Sequence, residues 1–352
     1  MKKSKPIGIV VVVLAILLGT LLLDALLPAL GLMPAIPLPD LAQNFVTVFL
    51  GIFIEAAPFL LLGSVASGLI DVFVTADDIA RLIPRNKIGA SLAGSVLGVA
   101  FPVCECGVVP VVRRLYQKGL PVSAGISFLL AAPVINPVVI ASTYAAFGLS
   151  PVFWARIVCT LLVAVVAGLV FSTQPSFIRV MLPRSLAPVM GGNLDSGKVG
   201  DEVDPPSNDP MALASLGTKL QRAFTLAADD FFDMGRYMIV GIFIATALQT
   251  FVQQSALVGI GRSPFTSVLA LELLAFVLSV CSTVDAFLAL SFINTFSTGA
   301  IVAFLVFGPM VDIKSTLMFA GVFRRRVVLY LTVLPFVLAL LIGVFINLNF
   351  NW

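Results

Sequence analysis

Histidine is absent from the 352 residues, only 11% of them are charged, and cysteine occurs four times. Without histidine there is no Ser-His-Asp triad, and no zinc site that a histidine completes. So few charges against 59% hydrophobic residues, at a mean hydropathy of +1.10, leave more apolar surface than one water-facing fold can bury. The solvent for most of the chain is lipid. Cys104, Cys106, Cys159 and Cys281 all lie inside apolar segments, which argues against a disulfide framework. No G-x-x-x-x-G-K-[ST] phosphate loop is present, so the chain is not its own ATPase. The net charge of +3 is not gathered into a basic stripe interleaved with aromatics, and a nucleic-acid partner is not expected. No cofactor is implied.

What is abundant is apolar runs, at 7–30, 46–74, 88–103, 122–147, 152–171, 237–251, 265–281, 299–311 and 327–346. Several reach the roughly 20 residues that cross a bilayer as a helix. The first follows Lys2, Lys3 and Lys5 and exceeds the ~7–15 residues of a signal-peptide core, so it reads as a retained anchor span. One stretch, 173–222, is rich in proline, glycine and acidic residues and reads as a flexible polar linker. The expected organisation is an N-terminal anchor span and outer loop (1–40), a first membrane repeat (41–172), a cytoplasmic linker (173–222) and a second membrane repeat (223–352).

The two bundles read as copies. Phe128, Pro133 and Asn136 lie 176 residues before Phe304, Pro309 and Asp312; Cys104 lies 177 before Cys281; Glu55 and Gly63 lie 178 before Asp233 and Gly241. Weak internal symmetry with helices broken at matching places is the pattern of secondary-transporter folds. By the positive-inside rule, Lys2, Lys3 and Lys5 place the N-terminus in the cytoplasm, and Arg81, Arg85 and Lys87, then Arg113, Arg114 and Lys118, mark cytoplasmic returns. The second bundle then starts with the opposite orientation. The expected fold is all-α integral membrane, two inverted structural repeats with broken or re-entrant helices, about 8–10 membrane segments in all, multi-pass in the inner (plasma) membrane. Arg156 and Arg262, near the outer side in this scheme, run against it.

Two motifs carry the chemistry. In Phe101 to Leu115, FPVCECGVVPVVRRL, two prolines flank C-E-C-G, so helical hydrogen bonding is expected to fail between Pro102 and Pro110, at the tip of a re-entrant hairpin. Cys104 and Cys106 around Glu105 then suit a soft ligand, and with Cys281 from the second half they make a three-sulfur site for a soft metal or metalloid. Two other readings stand beside this one: cysteines that only pack, as for the isolated Cys159, and a redox pair, for which the spacing is C-x-C and not C-x-x-C. In APVINP, Pro133 and Pro137 free carbonyls around Asn136, whose counterpart in GPMVDIK is Asp312 with Lys314 two residues on. Asn136 and Asp312 are expected to act as polar gates. Glu55, Asp233, Arg236, Glu272 and Asp285 are ionisable residues in or beside apolar spans. Glu55, Asp233 and Asp285 are the candidates for coupling to protons, although Asp233 with Arg236 also reads as a structural ion pair.

PVCECGVVPVVRRL, FLLAAPVINPVVIAST and SVCSTVDAF together resemble the predicted-permease family that includes the trivalent organoarsenical efflux permeases, over about 42–346. The resemblance implies an inner-membrane permease and, for some members, export of methylarsenite or aromatic arsenicals. Cys104, Cys106, Pro133, Asn136 and Pro137 match recognisable motif positions. The expected function is secondary efflux of a soft or thiophilic solute through the CECG and APVINP breaks. The alternative is a membrane thiol protein passing reducing equivalents or sulfur species to a partner through Cys104 and Cys106. The expected partners are a small-molecule or metalloid substrate, the bilayer, and an accessory membrane or thiol protein.

The charge rule makes a testable statement about sidedness. Single cysteines introduced at positions 118, 193 and 325 are expected to resist impermeant thiol reagents added from the periplasmic side; efficient labelling at 193 in intact cells contradicts the inverted arrangement.

Overall fold

The computed structural model describes residues 38–84, 86–101, 103–173, 180–182, 216–251 and 263–349. The expected anchor span at 7–30, Pro102, Arg262 and nearly all of the linker lie outside the described residues. Residues 1–48 and 49–352 form two units. The first is described only as the opening turns of the first long helix.

Every regular element among the described residues is helical. In chain order they are α1 (Leu38–Phe73), α2 (Ala76–Leu82), α3 (Lys87–Ala100), α4 (Glu105–Gln117), α5 (Val122–Ile135), α6 (Pro137–Phe147), α7 (Pro151–Phe171), α8 (Leu216–Phe251), α9 (Pro264–Leu278), α10 (Asp285–Leu290), α11 (Thr298–Met310), α12 (Ile313–Val322) and α13 (Arg325–Asn349). One isolated antiparallel bridge joins Met181 to Phe323. In lipid, helices satisfy every backbone polar group internally, and the starts are set by residues suited to them. Pro151 and Pro264 occupy first-turn positions where no amide is needed. Ser263 and Asp312 cap α9 and α12, each with a reciprocal bond from the residue three places on. In the polar turn, Thr75 does the same for α2, and its hydroxyl and amide lower the pKa of the exposed Asp78 carboxyl.

The chain is an all-α integral membrane protein. Among the described residues five helical stretches are long and apolar enough to cross a bilayer, or six with α5 and α6 counted as one span bent by 41° at Asn136. The expected eight to ten membrane segments included the run at 7–30, which lies outside the described residues, and broken or re-entrant segments. The short helices α3, α4 and α9 have 14, 13 and 15 residues. At 1.5 Å per residue each reaches only about 20 Å, short of a ~30 Å hydrocarbon core.

The order of elements in 38–171 recurs in 216–349. α1 and α8 are both 36 residues long, α3, α5 and α7 pack on one another, and so do α9, α11 and α13. Every residue of α5 is buried, as is nearly all of α11, and the two touch. Both are apolar all round, which suits a central helix rather than an amphipathic one. Ile54 of α1, Val158 of α7 and Leu341 of α13 instead expose apolar side chains, as lipid-facing positions do. Glycines let the layers approach. A Cβ at Gly63 of α1 would lie 2.3 Å from the Gly107 Cα of α4, so the CECG helix lies directly on α1.

Arg156 and Arg114 correct the reading of isolated arginines as loop charges. Arg156 is buried in α7, where its guanidinium meets both oxygens of Asp285 at the start of α10 (3.1 and 2.6 Å) and donates to Thr143 Oγ1 of α6 (2.9 Å). It therefore says nothing about which side of the membrane it faces. Arg113 and Arg114 near the end of α4 reach Asp233 (2.9 Å) and Asp230 (3.1 Å) of α8, Arg114 lies 3.9 Å from Asp71, and Ser67 donates to Asp230 (2.6 Å). Arg236 also contacts Asp233. Asp233 and Asp285 thus sit in ion pairs, whose partners hold the carboxylates in place.

The Arg156–Asp285 clamp yields a stability prediction. Asp285→Asn leaves a buried guanidinium half-paired and is expected to cost about 3–5 kcal/mol, while Arg156→Met with Asp285→Leu costs less than either single change. Thermal unfolding of the detergent-purified proteins reads the difference; equal stability of Asp285→Asn and wild type contradicts the clamp.

Candidate functional site

Lys314 is the second residue of α12, and its side chain is buried. An isolated ammonium in such a place is costly, and three helix ends converge on it. The Glu105 carboxylate, on the first residue of α4, lies 2.9 Å away, and that of Asp312, the N-cap of α12, lies 3.1 Å away. The carbonyl of Ser279, which ends α9, accepts from the ammonium at 2.7 Å. Each contact follows the helix dipole: carboxylates stand at N-termini, and the cation meets a C-terminus. Ser279 is in the left-handed region (φ 49°), which turns α9 away at that point. A Cβ on Gly241 of α8 would meet the Lys314 backbone at 2.7 Å, so α8 presses α12 into position.

The cysteines assemble around this lysine. Cys104 is the N-cap residue of α4, Cys106 follows on its second position, and Cys281 stands in the break between α9 and α10. All three are buried, and with Glu105 and Lys314 they line one crevice. Ile52, Glu55, Ala56 and Phe59 of α1 form its other wall. The crevice leaves no space for a water molecule. The Thr283 hydroxyl donates to the Cys281 sulfur at 3.6 Å. Among the described residues no three cysteine or carboxylate side chains make a preformed metal site, so the sulfurs share a crevice without enclosing a resident ion.

The break around CECG is shorter than the expected one. Among the described residues between α3 and α4, only 101, 103 and 104 are non-helical, and α4 runs from Glu105 through Pro110. Pro110 still lacks the amide that would bond the Cys106 carbonyl in a regular helix. The Pro110 carbonyl accepts from Ser67 (3.1 Å).

Asn136 and Asp312 occupy matching places at the two other breaks. Asn136 Oδ1 accepts from the Val139 amide (2.9 Å) and Asp312 Oδ1 from that of Ser315 (2.6 Å), so each caps the helix that follows. Only Asp312 reaches the ammonium. Asn136 Nδ2 donates to the carbonyls of Ala132 and Val103 at 3.4 Å, bracing the backbone beside Cys104 without lining the crevice. Pro133 lies inside α5 and Pro137 opens α6, both outside the crevice. Glu55 does line it, and Cys159, half-buried on α7, does not. In the sequence Lys314 stands out only as a neighbour of Asp312, and Ser279 does not stand out as its acceptor. A lysine just after a proline-broken apolar helix was the available signal; for Ser279 there was none.

The sequence profile of a family described as "Predicted permease" matches residues 41–348. The UPF0718 protein YcgR of Bacillus subtilis (strain 168) is 44% identical over 287 residues, covering 81% of this chain and 90% of that protein. A Streptococcus mutans protein named "Putative two-component membrane permease complex subunit" is 38% identical over 292 residues, covering 83% and 91%. No solved structure matches.

The ammonium's place between two carboxylates predicts a non-additive pair. Lys314→Met leaves Glu105 and Asp312 unbalanced and is expected to abolish most folded protein in the membrane, a cost of about 3–5 kcal/mol; adding Glu105→Gln recovers part of the loss. Size-exclusion chromatography of fluorescently tagged variants measures it, and a normal yield of Lys314→Met alone contradicts the network.

Proposed function

The chain belongs to the predicted permease family, and on that premise we propose that it is a secondary permease exporting a soft, thiophilic small solute, of the trivalent organoarsenical or metalloid type, across the inner membrane. The observation that carries the reading is the meeting of Cys104 and Cys106 from one half with Cys281 from the other in a single crevice. Thiols are soft donors, and trivalent arsenic is a soft acceptor. A solute held by sulfurs from both halves is released when the halves part. The repeated order of elements and the matched caps at Asn136 and Asp312 support two inverted repeats, the arrangement from which alternating access follows. The N-terminus is cytoplasmic in this reading.

In this scheme Cys104, Cys106 and Cys281 bind the solute, as substrate and not as a resident metal. Glu105, Lys314 and Asp312 set the charge of the pocket and hold the helix ends in register. Pro133, Asn136 and Pro137 shape the break that abuts Cys104. Glu55 faces the crevice and is the coupling carboxylate nearest the sulfurs, while Asp233 and Asp285 serve in the clamps. Passing electrons to a soluble thiol partner is disfavoured by the burial of Cys104 and Cys106. The printed name of the Streptococcus mutans relative favours an accessory membrane subunit.

Everted membrane vesicles loaded from outside with methylarsenite test the proposal. Wild type accumulates the arsenical, Cys104→Ser, Cys106→Ser and Cys281→Ser each lose roughly tenfold or more at normal expression, and Cys159→Ser is unchanged. Equal transport by all four variants and wild type leaves the cysteines as packing residues and overturns the reading.

A further inference from the structure

Glu272 stands in the middle of α9, and no step above uses it. Its side chain is fully buried, and neither carboxylate oxygen has a hydrogen-bonding partner among the described residues. Among the described residues, the helices that pack most on α9 are α8, α11 and α13. α11 runs beside it in the same direction, since Ser267 meets Ser297 at 3.1 Å and a Cβ on Gly308 would touch Ala275 at 3.3 Å; it has no ionisable side chain. α13 runs the other way, with Asn347 donating to the Pro264 carbonyl at 3.0 Å, so its Arg325, Arg326 and Tyr330 lie at the far end. α8 meets α9 through Gln249, which donates to the carbonyls of Val277 and Leu278 (3.2 and 2.8 Å). The ionisable residues of α8, namely Lys219, Arg222, Asp229, Asp230, Asp233, Arg236 and Tyr237, all precede Gly241, which packs on Lys314. α9 itself carries no other ionisable residue. A carboxylate amid apolar side chains with no counter-charge is a state that proteins avoid.

We propose that Glu272 is a proton-binding site coupled to transport: its carboxyl holds a proton in this closed conformation and releases it when α9 moves. On release the carboxyl O–H bond breaks, the electron pair stays on oxygen, and the proton passes to water that the movement admits. A proton fits better than a metal cation, because neither carboxylate oxygen has a hydrogen-bonding partner among the described residues and hard cations take about six oxygen ligands. The link to the crevice is α9 itself. Seven residues after Glu272, roughly 10 Å along the axis, Ser279 accepts from Lys314. Shifting α9 to expose Glu272 therefore pulls on the ammonium among the cysteines. The coupling clause depends on the permease reading; the proton site does not.

Infrared difference spectroscopy of the purified full-length protein tests the proton site with no substrate. At neutral pH, wild type minus Glu272→Gln is expected to show the carbonyl stretch of a protonated carboxylic acid, slow to shift in D2O, and Glu272→Asp is expected to move that band. Carboxylate stretches in its place, or no difference, overturn the proposal. Should the Gln variant fail to fold, the Asp variant alone decides, because an unmoved carbonyl band belongs to another residue. Coupling is read in everted vesicles with methylarsenite. An imposed pH gradient speeds uptake severalfold in wild type and not in Glu272→Gln, whose downhill flux persists; equal acceleration in both overturns the coupling. A wild type that moves no methylarsenite sinks the substrate assignment while the infrared band still decides the proton site.

Discussion

The ammonium group of Lys314 is the constraint on which the centre of this protein depends. A cation buried in a lipid-embedded protein must be surrounded by negative charge and acceptors, and here they come from three helix ends: Glu105 of α4, Asp312 of α12 and the Ser279 carbonyl of α9. None of these ends would lie in the interior if the helices ran unbroken. The breaks before Glu105, at 279–284 and at 311–312 are therefore the means of bringing polar termini to one point. Because Glu105 comes from the first half and Lys314 from the second, the same point joins the halves. It also brings the two cysteines of α4 beside Cys281.

Two ionic clamps flank this centre. One joins Arg113 and Arg114 of α4 to Asp230 and Asp233 of α8; the other joins Arg156 of α7 to Asp285 of α10 and Thr143 of α6. Each ties an element before the linker to one after it. Separating α4 from α8 would strip Arg113 and Asp233 of their partners, and separating α7 from α10 would do the same to Arg156.

Much of the fold was legible in the sequence because lipid imposes a simple code. Apolar runs within the described residues became helices, and Pro133, Pro137 and Pro309 marked two of the breaks. The cysteines of C-E-C-G and Cys281 pointed to the crevice because their 177-residue offset paired the breaks that hold them. Pairing between distant charges was not legible. Arg113 and Arg114 looked like loop residues beside Lys118, and Arg156 like an outer-side charge, because nothing local reveals a carboxylate more than a hundred residues away. Pro110 was misread as the end of a break: near the start of a helix a proline removes a single bond without ending the helix. Asn136 and Asp312 matched in sequence as polar residues at equivalent breaks, and in the structure each caps the helix that follows.

The central claim is that sulfurs from both halves hold one soft solute, and arsenic X-ray absorption on the purified protein incubated with methylarsenite measures it directly. The account predicts more than one sulfur neighbour per bound arsenic in wild type, fewer when Cys281 alone is replaced by serine, and none in the Cys104→Ser, Cys106→Ser, Cys281→Ser triple variant. An arsenic shell made only of oxygen and carbon, or one that is the same in wild type and the triple variant, would contradict it.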